Sequence, residues 1–325
     1  MCTAITYNTK DSYFGRNLDL EFSYDERITV TPKKYRFDLR HSDSIDEHFA
    51  IIGMAFVVDE YPLYYDAMND HGLAAAGLNF PVNAKYNPVN DKCKYNIASF
   101  EFIPWILSQC KCVDEAKVLL SDLNITDDKF SEQLPPSPLH WMITDSEKSI
   151  VVEQTIAGLR VYDNPTGVMT NNPTFDIQLF NLNNYMKVSP EPVQNTFANG
   201  LDLDDYSRGM GGMGLPGDLS SASRFVKVAF TKLNSRSEDS EWSSINQFFH
   251  ILKSVEQQRG CVHIKDDKYE ITIYSSCCNL NTGVYYYTTY DNSQINAVDM
   301  HKEDLEGDKL ITYQLNHDES VNLQN

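Results

Sequence analysis

Apolar and polar residues alternate from the first positions of the chain. The run Cys2-Thr3-Ala4-Ile5-Thr6-Tyr7 predicts a β-strand, and Tyr13-Phe14-Gly15-Arg16-Asn17 predicts a second one after the turn residues Asn8 to Ser12. The two read as a hairpin whose first strand begins at Cys2, so the chain terminus is held in a sheet instead of dangling. A third strand, Arg27 to Thr31, ends at Pro32. The apolar run Ala50 to Val58, the aromatic stretch Tyr61 to Tyr65 and the Gly/Ala-rich run Gly72 to Phe80 follow, the last with side chains small enough for another backbone to approach.

Helical spacing appears over Ala98 to Cys110 and Val113 to Leu123, each with an apolar face to set on a sheet. Asn124 to Pro138 reads as a loop with Pro135, Pro136 and Pro138, and it carries Phe130 and Leu134 among polar neighbours, as a lid or binding wall would. Strands resume at Leu139 to Thr144, Ser149 to Thr155, Leu159 to Tyr162 and Gly167 to Thr170. Helices are expected at Phe175 to Met186, Ser220 to Leu233, with Ser220 and Ser221 as N-cap candidates, and Ser244 to Gln258. Tyr269 to Ser276 and Val284 to Tyr290 complete the strands. No repeat or linker divides the chain, and the order of elements predicts one layered α+β domain.

Charge narrows the partners. With 27 Lys+Arg against 46 Asp+Glu the net charge is -19, a field that repels nucleic acid and anionic membranes and makes any isolated arginine noteworthy. No apolar segment is long enough to span a bilayer and no signal peptide precedes Cys2, so a cytoplasmic protein is expected. The seven cysteines form no C-x-x-C pair; reduced thiols are expected, with Cys110, Cys112, Cys277 and Cys278 assigned to packing, and neither a metal nor a cofactor is called for. Arg208 to Gly217 holds five glycines but has neither the G-K-S/T ending nor the βαβ context of a phosphate cradle, and reads as a flexible or closely packed loop.

Cys2 carries the chemistry. Once Met1 is removed, it bears a thiol and an α-amine on the same Cα, so nucleophile and base arrive as one residue. Arg16 and Asp19 on the second strand can return beside it, the guanidinium to favour thiolate and the carboxylate to hold the amine. Residues three apart on a regular strand face opposite sides, so both reach Cys2 only if the backbone bends around Asn17-Leu18. Asn79 and Asn171, at strand ends, are candidate oxyanion donors, with turn formation as the ordinary reading of each. Arg224 sits in the first turn of an expected helix, where the dipole disfavours a cation, a hint of another purpose. His140, beside Trp141, reads as a core residue.

The opening Met-Cys-Thr-Ala-Ile-Thr-Tyr, then Phe14-Gly15-Arg16-Asn17-Leu18-Asp19, Gly77-Leu78-Asn79-Phe80-Pro81, Leu139-His140-Trp141-Met142, Thr170-Asn171-Asn172-Pro173-Thr174-Phe175 and Leu215-Pro216-Gly217-Asp218, in this order, resemble the choloylglycine hydrolase family, nearest its bacterial conjugated bile salt hydrolases. The resemblance implies a four-layer αββα sandwich of two stacked antiparallel sheets, one domain over residues 2–325 with Met1 removed, and a homotetramer. It implies Cys2 as nucleophile and base, Arg16 and Asp19 as its tuning groups, Asn79 and Asn171 as oxyanion donors, and Arg224 as part of the polar site. The substrates implied are glycine- or taurine-conjugated bile salts, with Leu18, Leu20, Phe22, Tyr24, Tyr65, Phe130 and Leu134 as steroid-facing walls. Two alternatives remain at this point: a penicillin V acylase or other N-acyl amidase, whose members typically place Tyr where this chain has Asn79, and a non-catalytic bile acid or lipid binding protein.

Overall fold

The computed structural model describes residues 1–325. Its centre is a pair of stacked antiparallel sheets. The six-stranded sheet runs, in spatial order, β12 (Val168–Met169), β1 (Cys2–Asn8), β2 (Ser12–Leu20), β15 (Ile271–Asn279), β16 (Val284–Thr289) and β17 (Asn296–Asp299). The eight-stranded sheet runs β11 (Gly158–Asp163), β10 (Ser149–Thr155), β9 (Leu139–Thr144), β6 (Ala74–Asn79), β5 (Tyr61–Asn69), β4 (Ile51–Val58), β3 (Arg27–Thr31) and β18 (Ile311–Gln314). Two small pairs, β7 (Tyr95–Ala98) with β8 (Leu123–Thr126) and β13 (His263–Lys265) with β14 (Lys268–Tyr269), lie outside them.

Two apolar clusters account for the layering. One, including Phe14, Met54, Met68 and Tyr285, fills the space between the sheets and continues to Phe225, Val228, Phe248 and Leu252 of α4 (Ser221–Asn234) and α5 (Glu241–Lys253). The other, including Trp105, Ile106, Val113 and Trp141, seals α1 (Phe102–Gln109) and α2 (Val113–Leu120) onto the outer face of the eight-stranded sheet. Helices therefore cover both outsides, the αββα arrangement. Within the six-stranded sheet, β2 and β15 pass so closely beside Gly15 that an added Cβ there would lie 2.0 Å from the Ser276 carbonyl oxygen.

The strands Arg27–Thr31 and Ser149–Thr155 have the expected bounds. Differences occur where side chains compete for backbone groups. The last expected helix begins three residues early, because Ser240 and not a later serine accepts the Ser243 N–H. Phe175 starts α3 (Phe175–Asn181), which tightens into a 3-10 turn over Leu182–Tyr185 instead of continuing as one helix to Met186. The expected loop from Asn124 opens as the end of β8, and the helix before it stops at Leu120. Gly211 in the glycine-rich segment is buried, with Cβ space closed by the Ser189 and Glu191 carbonyls, so close backbone packing explains its place. His140 is buried, stacked on Phe80, with its ring nitrogens on the Thr170 carbonyl (2.8 Å) and Glu153 (3.1 Å).

Candidate active site

β1 pairs with β2 in unbroken register from Cys2 opposite Leu18 to Asn8 opposite Ser12, so the predicted hairpin forms and Cys2 is its terminal rung. The apolar alternation buries both faces of β1, one between the sheets and one under α4 and α5. That placement resolves the parity question about Arg16 and Asp19. Arg16 lies opposite Ala4 and projects into the inter-sheet layer, where its Nη1 donates to the carbonyls of Gly77 (2.6 Å) and Tyr65 (3.1 Å). Asp19 is on the other parity, where its Oδ1 accepts from Thr272 Oγ1 at 2.6 Å. Because Cys2 ends the strand, the two charges flank it from opposite faces, and β2 keeps its pairing with β1. The local irregularity falls on β15 instead, between Thr272 and Tyr274 opposite Leu18 and Asp19.

β12 brings the third element. Its pairing of Met169 with Ala4 carries the chain onward so that Asn171 Oδ1 accepts the Cys2 N–H at 2.8 Å. Arg224 Nη2 donates to the same oxygen at 2.7 Å, which fixes the amide's orientation, since two donors facing one atom require it to be oxygen. Asn171 Nδ2 then donates to the Asn79 carbonyl at 2.6 Å. Ser221, the first residue of α4, accepts the Asn171 backbone N–H through its hydroxyl at 2.8 Å, while Ser220 is the true N-cap. Asn79 ends β6 with its side chain exposed.

The adverse dipole at Arg224 has its explanation. Its guanidinium turns away from the helix axis and donates to the Cys2 carbonyl (2.6 Å), Thr3 Oγ1 (2.5 Å), Asn171 Oδ1 (2.7 Å) and the Leu219 carbonyl (3.0 Å). Replacing it leaves several buried acceptors unmatched. Arg224→Met should therefore cost about 3 kcal/mol of stability in urea unfolding and lower kcat about a hundredfold. Arg224→Lys, which keeps the charge but loses the fork geometry, should fall between Met and the natural residue.

With Met1 in place the terminal ammonium belongs to that residue. It donates to the Asp19 carbonyl at 2.8 Å and contacts the Glu270 carboxylate, while Asp19 N–H donates to the Met1 carbonyl at 3.0 Å. Burial pulls this amine below its ordinary pKa, with Cys2 and Asp19 acting against the shift. Burial likewise pushes the Asp19 carboxyl up, opposed by the terminal ammonium, Arg224, the Thr272 hydroxyl and Arg16. Burial disfavours the charge of Arg224, with Asp19 and Cys2 restoring part of it. Arg16 ends above its ordinary value despite burial, because Cys2, Tyr274, Asp66 and Asp19 outweigh it.

The expected wall residues divide into three groups. Leu18, Leu20 and Tyr65 pack in the inter-sheet cluster that also holds Cys2. Phe22 and Tyr24 follow β2 as an exposed aromatic pair, centroids 4.7 Å apart, with Tyr24 6.0 Å from Phe56. Phe130, whose N–H donates to the Leu134 carbonyl, packs against Tyr61 and Phe100, and Tyr61 leans on the cluster under α1 and α2, across the sheet from the thiol-bearing core. Sequence reading missed Thr3, Thr272, Glu270 and Asp66. Only Asp66 left a signal, a lone carboxylate inside the apolar strand Tyr64-Tyr65-Asp66-Ala67-Met68.

A terminal thiol on a strand of a two-sheet αββα sandwich, its main-chain nitrogen and carbonyl both gripped by side chains, defines an N-terminal nucleophile hydrolase. Residues 2–313 match the linear amide C–N hydrolases, choloylglycine hydrolase family, and the chain belongs to that family. It is 58% identical over 315 residues to the bile salt hydrolase/transferase of Lactiplantibacillus plantarum, covering 97% of both chains, and 41% identical to that of Clostridium perfringens, covering 99% of both. The crystal structure of the C2A mutant conjugated bile acid hydrolase from Clostridium perfringens superposes over the whole of both chains with a TM-score of 0.93 at 40% identity. The penicillin V acylase of Agrobacterium tumefaciens shares the fold at TM-score 0.76 and 20% identity, covering 96% of this chain and 90% of that one. This protein is a hydrolase of linear amides. No helix is long and apolar enough to cross a membrane.

Proposed function

We propose that this protein hydrolyses the amide bond of glycine- or taurine-conjugated bile salts through a thioester on Cys2, releasing free bile acid and amino acid. The carrying observation is the grip of Asn171 Oδ1 on the Cys2 nitrogen and of Arg224 on the Cys2 carbonyl, which aims the terminal amine and thiol together. Support for the substrate comes from the named activities of the relatives and from Asn79 standing where penicillin V acylases typically have Tyr.

Removal of Met1 places the amine on Cys2. That amine takes the thiol proton, sulfur attacks the amide carbonyl, and the exposed Asn79 amide with the second N–H of Asn171 Nδ2 receives the oxyanion. The ammonium protonates the leaving nitrogen as the C–N bond breaks. Water, deprotonated by the same amine, then cleaves the thioester. An amine replacing that water would give acyl transfer, a reaction compatible with the word transferase in the names of two relatives. Arg16 favours thiolate from the sulfur's side of the sheet, and Asp19 with Arg224 orients the amine from the other.

Leu18, Leu20 and Tyr65 form the apolar wall next to the thiol, with Phe22 and Tyr24 as an aromatic rim. The protein is one domain, cytoplasmic, and a homotetramer; the segment carrying exposed Val193, Phe197, Leu203, Tyr206 and Met213 supplies apolar surface for assembly. Side-by-side assays with glycocholate, taurocholate and penicillin V test the reading. It requires the two bile salts to be turned over well ahead of penicillin V, and the reverse order would replace it with the acylase. Burial lowers the pKa of the amine on Met1, and Cys2 is itself buried. Activity should therefore rise on the acid limb as the freed Cys2 amine loses its proton, with an apparent pKa below the ordinary value of about 7.7–8.0 for α-amines. A pH profile of kcat/KM checks this.

A further inference from the structure

Arg16 and Asp66 are both fully buried, and neither touches a charge of opposite sign directly. Arg16 satisfies Nη1 on two carbonyls and Nε weakly on the Asn17 carbonyl at 3.4 Å, leaving Nη2 without a hydrogen-bond partner. A dry cation held only by neutral oxygens needs a compensating anion nearby. Asp66 supplies it from the facing sheet. Its Oδ1 accepts from Tyr274 OH at 2.5 Å, and its Oδ2 from Tyr285 OH at 2.7 Å and Ser276 Oγ at 2.9 Å. Burial pushes the Asp66 carboxyl up, and Arg16 with the three hydroxyl donors pulls against it in favour of the ionised form.

The two sheets exchange charges here. Arg16 reaches from β2 to carbonyls of β5 and β6, while Asp66 reaches from β5 to hydroxyls of β15 and β16. The halves are joined twice. Tyr65, whose carbonyl takes the guanidinium, directly precedes Asp66 and is the extra residue of a bulge against β4, where Met54 pairs with Asp66 and Ala55 with Tyr64. The Arg16 backbone N–H donates to Ser276 Oγ at 3.1 Å, and that hydroxyl donates on to Asp66.

We propose that Asp66, held by Tyr274, Tyr285 and Ser276, is a positioning residue that keeps the Arg16 guanidinium in the inter-sheet layer beside the Cys2 sulfur. Asp66 acts through Arg16, and the inference rests on Cys2 as the nucleophile. Without this anion the buried cation moves toward solvent, and the sulfur loses the charge that favours thiolate. The titratable and charged groups facing Cys2 are Arg16 and Asp19 from β2, Arg224 from α4, Tyr65 from β5 and the chain's own amine. Those facing Asp66 are Arg16, Tyr274, Tyr285 and Cys278.

The test measures the pH midpoint of Cys2 alkylation by iodoacetamide in the processed protein, a readout independent of substrate, together with kcat and KM for glycocholate. Asp66→Asn should raise the midpoint by about one unit, leaving about tenfold less thiolate below it. In the same variant kcat should fall about tenfold with KM within about twofold. In an Arg16→Met background the same substitution should change kcat less than twofold, because the residue it works through is gone. A midpoint unchanged in Asp66→Asn overturns the proposal, as does a lowered one, which would mean that Asp66 acts on the sulfur directly, and so does full additivity with Arg16→Met. If Asp66→Asn does not fold, Tyr274→Phe and Tyr285→Phe each remove one donor from the same carboxylate. Each should raise the midpoint partway, and no shift in both refutes it. Loss of glycocholate turnover by the natural enzyme would count against the bile salt reading alone, since alkylation would still report on Arg16 and Asp66.

Discussion

Cys2→Ala should abolish release of glycine from glycocholate, with kcat reduced about 10^4-fold or more, because thiol nucleophile and its base partnership disappear together. The fold should survive. Cys2 is buried at the last rung of the β1–β2 ladder, where the backbone bonds to Asn171 and Arg224 do not involve sulfur, and loss of one small buried group costs about 1 kcal/mol. Glycine release measured beside an unfolding curve separates the two effects. An alanine variant that keeps its stability and still turns over substrate would exclude Cys2 as nucleophile. A further pattern is expected of the same variant: it should bind glycocholate, since the apolar wall of Leu18, Leu20 and Tyr65 remains.

A chain whose residue 1 is retained should be nearly as inert. With Met1 in place the nitrogen of Cys2 is an amide and has no lone pair to take the thiol proton. The extra residue also extends the ladder, exchanging backbone hydrogen bonds with Asp19 and setting its ammonium against Glu270 in front of the thiol. A protein made with a cleavable N-terminal extension should show turnover lower by about 10^3-fold, the worth of a positioned general base, until cleavage exposes Cys2. Activity should then return without refolding. Equal activity before and after cleavage would mean that the base lies elsewhere.

Much of this arrangement was legible in the sequence because it depends on short-range pattern. The alternation at Cys2 to Tyr7, the turn at Asn8 to Ser12 and the Pro32 stop each act within a few residues, and the first hairpin came out as read. Arg224 was visible as a cation in an unfavourable place on its helix. What was not legible was set by long-range pairing. Periodicity shows that Arg16 and Asp19 face opposite ways, but only the stacking of a second sheet on one side and α4 and α5 on the other makes both useful to Cys2. Asp66 and Glu270 needed partners hundreds of positions away, Tyr274 and Tyr285 for the first and the chain terminus for the second. The polar edge strand β18 and the short parallel pair β7–β8 carry too little alternation to announce themselves, and the start of α5 depended on which of several neighbouring serines became the cap.

The most direct measurement is the mass of the N-terminal peptide after rapid acid quench of the enzyme turning over glycocholate. The account predicts a peptide that begins at Cys2, lacks Met1 and carries the bile acyl group as a thioester labile to hydroxylamine. Steady turnover with Met1 still attached, or an acyl group found on any other residue, would contradict it.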